Sequence, residues 1–489
     1  MDLDGITQET LDALMKAQTT GITSGTGLFG IDLTEFVTLI PVITRLRDSI
    51  GREGSDNGNK LTQWRAITAV SGAQPNPFMG YDKAAAVALV NEVDVFAAYA
   101  PIGMGYTVTQ DSTDLSKGYA DAHATATLNA LHQALIGEDK ALIGGQRYAL
   151  PAVAQPTLTQ SDTGGSIAAS TTVHVAVAAR SGMNYFYGGS GAACADTTVT
   201  TSTVAAGTHS VTATVPAVKG AVAYDWFVGT SSGNRKYLTT TTVASVVITA
   251  IPTADQALPA LPELSTTVPA GPGPTADGSF STDAFDGMIA TIVGDIAATG
   301  LTTPGSGTAS GSTWVDNGAG TLTLSGGAIA EIDNFLMSLY NVCRLSPASL
   351  WMAPQHALDI SNKVLSSTAA PTFLQPADQH DRVNAVVGSF AGHYVNRASG
   401  GDIVEIRVDP LMPTGTIIAR TDSIPYPGSN VDAAWKVRTL RDYSDYQYGA
   451  NRAAGAGGGP RFDGEVRSIQ VLRCKAPLAQ GVLTNVKTG

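Results

Sequence analysis

The sequence predicts an α+β body interrupted by an all-β sandwich. Three observations lead there. Helical and strand-like periods both occur, and they do not alternate as regular βαβ units would. Between Pro151 and about Pro269 the composition shifts to Thr, Ser, Val, Ala and Gly, with short strand-like runs at regular spacing. The chain has 489 residues, too many for one domain at roughly 100–200 residues each.

Residues 6–17 read as a short amphipathic helix, with Thr7 as N-cap and Leu11, Leu14 and Met15 on one side. A polar, Gly-rich arm follows from Thr19 to Gly30, then apolar Phe36–Ile43 and the charged run Arg45-Leu46-Arg47-Asp48. Residues 51–59 hold Gly, Asp and Asn at turn density. Leu61–Val70 and Ala86–Phe96 are strand-like and enclose Pro75, Asn76, Pro77 and Gly80, which predicts a long hairpin. Residues 112–142 carry the longest helical pattern, capped at Asp111 or Ser112 and stopped at Gly144-Gly145. Leu115, Tyr119, Ala122 and Ala126 share one face; Leu128, Leu131 and Leu135 lie nearly opposite. A helix with two apolar sides touches different neighbours at its two ends.

The insertion offers strands at 171–178, 196–204, 208–215, 221–229, 236–241 and 243–250. Val173, Val175 and Val177 alternate with Thr172, His174 and Ala176, the two-residue period of a half-buried strand. The set has the size of an immunoglobulin-like sandwich, and prolines from Pro259 to Pro274 form a stiff exit. Beyond it, Phe285–Ile296 and Ile329–Cys343 show helical stripes, and a third helix starts at Pro354. Residues 300–320 and 449–460 read as loops, and Val404–Val408 as a strand partnered by Thr416–Ala419. Glu465–Arg473 and Gly481–Asn485 close the chain as strands.

Composition narrows function. Charged residues are only 14% against 43% hydrophobic, so a core is easily filled. Acidic residues outnumber basic ones 41 to 29, against a surface that grips nucleic acid through clustered Lys and Arg. Cys194, Cys343 and Cys474 make no disulfide framework, and a reducing compartment fits. The opening Met1-Asp2-Leu3-Asp4 lacks the pattern of a signal peptide, and no apolar run is long enough for a membrane span.

The search for chemistry finds little. There is no phosphate-loop signature and no Gly-x-Ser-x-Gly elbow. His123 and His132 lie half a turn out of phase on a helix, and the histidines read as scattered surface residues in loops rather than a metal site. Cys343 and Cys474 fall on apolar stripes and read as core. Asp442, Asp445, Tyr443, Tyr446 and Tyr448 crowd beside Arg438 and Arg441 in a run without regular period. A charged contact surface accounts for them better than paired catalytic carboxylates. No catalytic, cofactor or metal residue is assigned, and the chain reads as a non-enzyme.

The order of segments then carries more than any motif. The arm, the hairpin, the long helix ending Glu138-Asp139-x-x-Leu142-Ile143-Gly144-Gly145, the stretch Ser346–Pro354 and the ending Leu472–Asn485 together resemble major capsid proteins of tailed bacteriophages, of the Hong Kong 97 type. The inserted segment resembles a fibronectin type III or bacterial immunoglobulin-like domain. The resemblance implies residues 1–58 as N-terminal arm, 59–100 as extended loop, and 101–150 as peripheral domain with a spine helix. It further implies 151–268 as inserted sandwich, 279–440 as axial domain, and 441–489 as strands completing the peripheral domain. It implies hexamers and pentamers of the chain itself around packaged DNA, with scaffolding, portal and cement proteins as partners. The virion is then its location, after assembly in a bacterial host's cytoplasm.

Trp64, Ile67, Val93 and Phe96 of the hairpin are expected to pack on a neighbouring copy, with Arg438, Arg441, Asp442 and Asp445 as further assembly contacts. Some shells of this type join a hairpin lysine to a neighbour's asparagine, which raises Lys60 and Lys83. Solvated lysines are the simpler reading, since nothing in the sequence picks out the asparagine or the proton acceptor. The insertion, repeated on every subunit and projecting outward, is expected to bind host-surface glycans weakly through avidity. The alternatives are an encapsulin-like compartment shell, an adhesin with an immunoglobulin-like module, and an enzyme.

Overall fold

The computed structural model describes residues 43–55, 58–70, 90–115, 121–204, 208–253, 273–296, 302–304, 314–365, 392–424, 431–452 and 460–489. The helix expected at 6–17, the Gly-rich arm, the hairpin tip with Lys83 and most of the proline-rich exit lie outside these residues.

A short helix α1 (Arg45–Ser49) leads into β1 (Gly51–Gly54). The turn expected at 51–59 is therefore half strand. Its glycines flank Arg52 and Glu53, and the backbone pairs parallel with residues 436–439, so long-range pairing overrides local turn chemistry. The hairpin is β2 (Leu61–Val70) with β3 (Val90–Ala98), antiparallel, Trp64 opposite Val95 and Ala66 opposite Val93. The strand β4 (Ala100–Thr109) follows directly.

The long helical pattern is split. Gln110–Leu115 forms α2, and α3 runs Ala122–Gly144, capped by Asp121. The Asp121 carboxylate accepts from the amides of His123 (2.9 Å) and Ala124 (3.2 Å). Asp111 and Ser112, the expected caps, lie inside the shorter helix, where Thr109 Oγ1 accepts from the Ser112 amide at 3.3 Å. Its two-faced character also differs: Leu128 is exposed, while Ala130, Ala134, Leu142 and Ile143 are buried. Small alanines let α3 lie close on the sheet of β4, where Ala130 packs with Tyr106, Val108 and Val466.

The insertion holds β5 (Thr157–Ser161), β6 (Thr172–Ser181), α4 (Gly182–Tyr187), β7 (Thr197–Thr200), β8 (Ser210–Thr214), β9 (Ala221–Gly229), β10 (Lys236–Thr241) and β11 (Ser245–Ile248). Two antiparallel sheets, ordered β10-β9-β6-β7 and β11-β8-β5, share one core. Val173, Val175 and Val177 point into it from one sheet, Val211, Ala213 and Ile248 from the other. β9 is buried along its whole length, because the second face of its sheet is covered too. There Phe227 packs with Tyr237, and the segment after residue 273 crosses it, Ala193 donating to the Pro274 carbonyl. Two features went unread in the sequence, β5 and the helix α4, so the insertion is not all-β. Its strand count suits a constant-type immunoglobulin sandwich, but its order does not. That fold pairs the first, second, fourth and fifth strands in one sheet; here the second, third, fifth and sixth share a sheet.

The remaining body begins with α5 (Met288–Val293), six buried residues. It is shorter than its apolar stripe, because Gly294 opens β12 (Gly294–Ile296), paired with β13 (Thr302–Pro304). β14 (Trp314–Asp316) also falls in the expected loop. A small hairpin, β15 (Leu324–Ser325) and β16 (Ala328–Ile329), leads to α6 (Ala330–Cys343), β17 (Ser349–Met352) and α7 (Pro354–Leu365). Then come β18 (His393–Asn396), β19 (Asp402–Val408), β20 (Ile417–Arg420), β21 (Trp435–Arg452), β22 (Pro460–Cys474) and β23 (Gly481–Thr484).

One six-stranded sheet is ordered β14-β23-β20-β17-β19-β18. The wholly buried β17 separates β19 from β20, which were expected to pair. Ile332, Phe335, Leu336 and Leu339 of α6 and Ile360 of α7 cover this sheet. The other sheet is β1-β21-β22-β4. The last strand joins the six-stranded sheet rather than this one, and β21 starts at Trp435, ahead of the expected boundary at 441.

Candidate functional site: a charged latch and the hairpin base

Helix α3 ends in two acidic residues that no solvent reaches. Glu138 is 0% exposed and collects three donors: Arg47 Nε (2.9 Å), Tyr443 Oη (2.8 Å) and an Arg52 guanidinium nitrogen. Burial and the Glu138 charge push the Tyr443 phenol well above its usual range, so it stays a donor. Asp139, also 0% exposed, accepts from the Arg47 amide at 2.9 Å, while its second oxygen has no partner. Further bonds run the same way. Arg45 Nη1 donates to the Val408 carbonyl (3.0 Å), Arg420 grips Ser49 through two donors, and Arg473 Nη2 pairs with Glu53 (2.9 Å). Residues 43–54 are thus tied by charged side chains to α3, to the end of β19, to β20 and to β22, while Leu46 and Ile50 sit in the core of the body. The Glu138 charge is paired with Arg47 and Arg52, as burial requires.

The hairpin leaves this body at its base. β2 and β3 pair only with each other among the described residues. The Tyr99 amide donates to the Lys60 carbonyl (3.1 Å), and Arg438 Nη1 to Thr62 Oγ1 (3.3 Å). Val95 is buried, while Trp64 and Phe96 are half-buried and line a cavity of about 40 Å³ with Tyr148, Phe285 and Leu472 of the same chain. Trp64 and Phe96, expected to pack on a neighbouring copy, thus meet residues of their own subunit at the hairpin base. Ile67 and Val93 are placed by strand register alone. Lys60 is exposed at the mouth of an open groove, and Lys83 lies outside the described residues.

The tyrosine-rich stretch is not an irregular run but part of the 18-residue strand β21, its period broken by three register shifts. It is not one patch either. Asp445 accepts from Tyr106 Oη at 2.7 Å, Arg441 stands 5.9 Å from the Tyr446 ring centre, and Asp442 is exposed. Tyr443 points to Glu138 instead. Sequence reasoning missed Glu138, Asp139, Arg47, Arg52 and Asp409 as one group. The available signal was two consecutive acids inside the apolar end of a helix, which call for cations or a proton to balance them.

The histidines depart from the surface-loop reading. His209 and His356 are fully buried, and the Gly415 amide donates to His356 Nε2 at 2.7 Å. Burial holds the His356 pKa below its usual value. The three cysteines are unpaired. Burial raises the thiols of Cys194 and Cys343 and pushes Cys474 up to about 12, the reverse of a reactive cysteine. Among the described residues no group of three or more His, Cys, Asp or Glu could hold a metal ion, and no helix is long and apolar enough to cross a membrane.

No protein-family model matches the chain, and no curated protein does. Among solved structures it is similar to the capsid of a native GTA particle, at 7% identity and a TM-score of 0.44, over 94% of this chain and 95% of that one. It is similar to the capsid of cyanophage Pam1 at 8% identity and a TM-score of 0.41, over 96% and 99%. A further structure is the holo-SrpI encapsulin complex from Synechococcus elongatus PCC 7942, at 10% identity and a TM-score of 0.36, over 97% and 95%.

Proposed function

We propose that the chain is a shell subunit that assembles with copies of itself into a closed container, the capsid around the double-stranded DNA of a tailed phage. The observation that carries the reading is the hairpin. Two strands of ten and nine residues pair only with each other among the described residues. An isolated two-stranded ribbon is marginal in water, so its outer part calls for a second chain. The charged latch fits a subunit whose N-terminal segment must be held in one place while the arms reach outward. Scaffolding, portal and cement partners belong to the same reading.

The insertion is proposed as a stiffening element of the subunit. Its α4 puts Phe186 into the body core, the Ala244 amide donates to Asn485 Oδ1 (2.7 Å), and Tyr187 Oη donates to the Gly137 carbonyl (3.1 Å). These contacts favour stiffening over glycan adhesion. Deletion of 152–268 decides: lost heat stability supports stiffening, and lost glycan binding at unchanged heat stability supports adhesion.

Electron microscopy of the purified chain tests the shell reading. Closed icosahedral particles are expected, with DNA and tails when made in an infected host. Particles enclosing a protein cargo would instead mean a compartment shell. A chain that stays monomeric at every concentration would overturn both.

A further inference from the structure

A second buried carboxylate faces the latch. Asp409, in the turn after β19, is 2% exposed, and its Oδ2 has no hydrogen-bond partner. Asp139 on α3 is 0% exposed with an equally unpartnered Oδ2. The two flank α1 from opposite elements. Asp139 Oδ1 accepts the Arg47 amide at 2.9 Å, and Asp409 Oδ1 takes the Leu411 amide at 2.9 Å, next to the Val408 carbonyl that accepts from Arg45 Nη1 at 3.0 Å. Two ionised carboxylates at 0% and 2% exposure would carry a large desolvation cost. One proton on either of them removes most of it.

We propose that Asp139 and Asp409 are two buried carboxylates beside α1 whose ionisation loosens the grip of α3 and the 409–412 turn on the segment Arg45–Ser49. The surroundings bear on the sign. Arg47 and Arg52 are committed to Glu138, as is Tyr443 from β21. Arg45 is the cation acting on Asp409, and Asp48 and Glu138 add negative charge near Asp139. Burial, then the Asp409 charge, raises Asp139 to about 7, and burial raises Asp409. A carboxyl whose folded pKa is raised stabilises the fold below its ordinary range and loses that contribution as pH climbs through the folded value. The segment is therefore held tightly at pH 6 and loosely at pH 8.

Amide hydrogen exchange on the full chain tests this, with protection corrected for the intrinsic effect of pH. For a group titrating near 7, protection at Leu46 and Arg47 is expected to fall about tenfold from pH 6 to pH 8. Asp409→Asn keeps the acceptor for Leu411 and removes the neighbouring charge; it should shrink the fall, with the part due to the burial of Asp139 remaining. Asp139→Asn should abolish the fall and hold the pH 6 protection at pH 8, and Asp409→Asn carries the test if that variant does not fold. Equal wild-type protection at both pH values, or an undiminished fall in Asp409→Asn, overturns the proposal. So does full recovery at pH 8 on adding millimolar magnesium chloride, which would make the pair a cation site.

Discussion

Glu138 concentrates more interaction than any other side chain of the latch. It is fully buried with two arginines and a tyrosine on its two oxygens. Removing one partner of a buried pair strands the other charges, which costs about 3–5 kcal/mol. Glu138→Ala should lose about that much in urea unfolding, whereas Tyr443→Phe, which removes one hydrogen bond to a charge, should lose about 1.5–3 kcal/mol. A Glu138→Ala variant as stable as wild type would mean that the latch contributes nothing. The sequence made Glu138 and Asp139 visible as the end of a helix, but not as receptors. Their donors sit some ninety residues upstream and three hundred downstream, and no local period links such positions.

At the level of elements, legibility followed local pattern. β2, β9 and β10 match their predicted limits because turn residues flank runs of β-branched or aromatic residues. The helix at Pro354 was readable from its first-turn proline. β1 was misread because its glycines count as turn residues until β21 is there to pair with them. β21 hid its period behind three register shifts. The glycines that stop α3 also do something the sequence could not display. The backbones of Gly144 and Gly182 touch, and a Cβ on Gly182 would lie 2.5 Å from the Gly144 Cα. Gly182→Ala should push α4 off α3 and destabilise the chain by about 1–3 kcal/mol, visible as faster proteolysis around residues 182–190. Unchanged proteolysis and stability would show that this contact is not tight.

The same docking shapes the whole molecule. The composition change at 151–268 predicts a separable domain, and the insertion does have its own core. Yet Phe186 and Val222 belong to the core of the body, so removing 152–268 opens a hole there. The deletion variant should unfold at a lower temperature than the full chain, and an unchanged melting temperature would restore the separable-domain view. The long arms raise the larger question of what covers them. Strands β2 and β3 are anchored at Val95, Tyr99 and Arg438 and have no third strand among the described residues. Hydrogen exchange across 61–70 and 90–98, compared between dissociated subunits and assembled particles, addresses the shell account most directly. Fast exchange beyond the base in free subunits, slowing at least tenfold on assembly, is the predicted result. Equal protection in both states would contradict it, since the hairpin would then be complete without a neighbour.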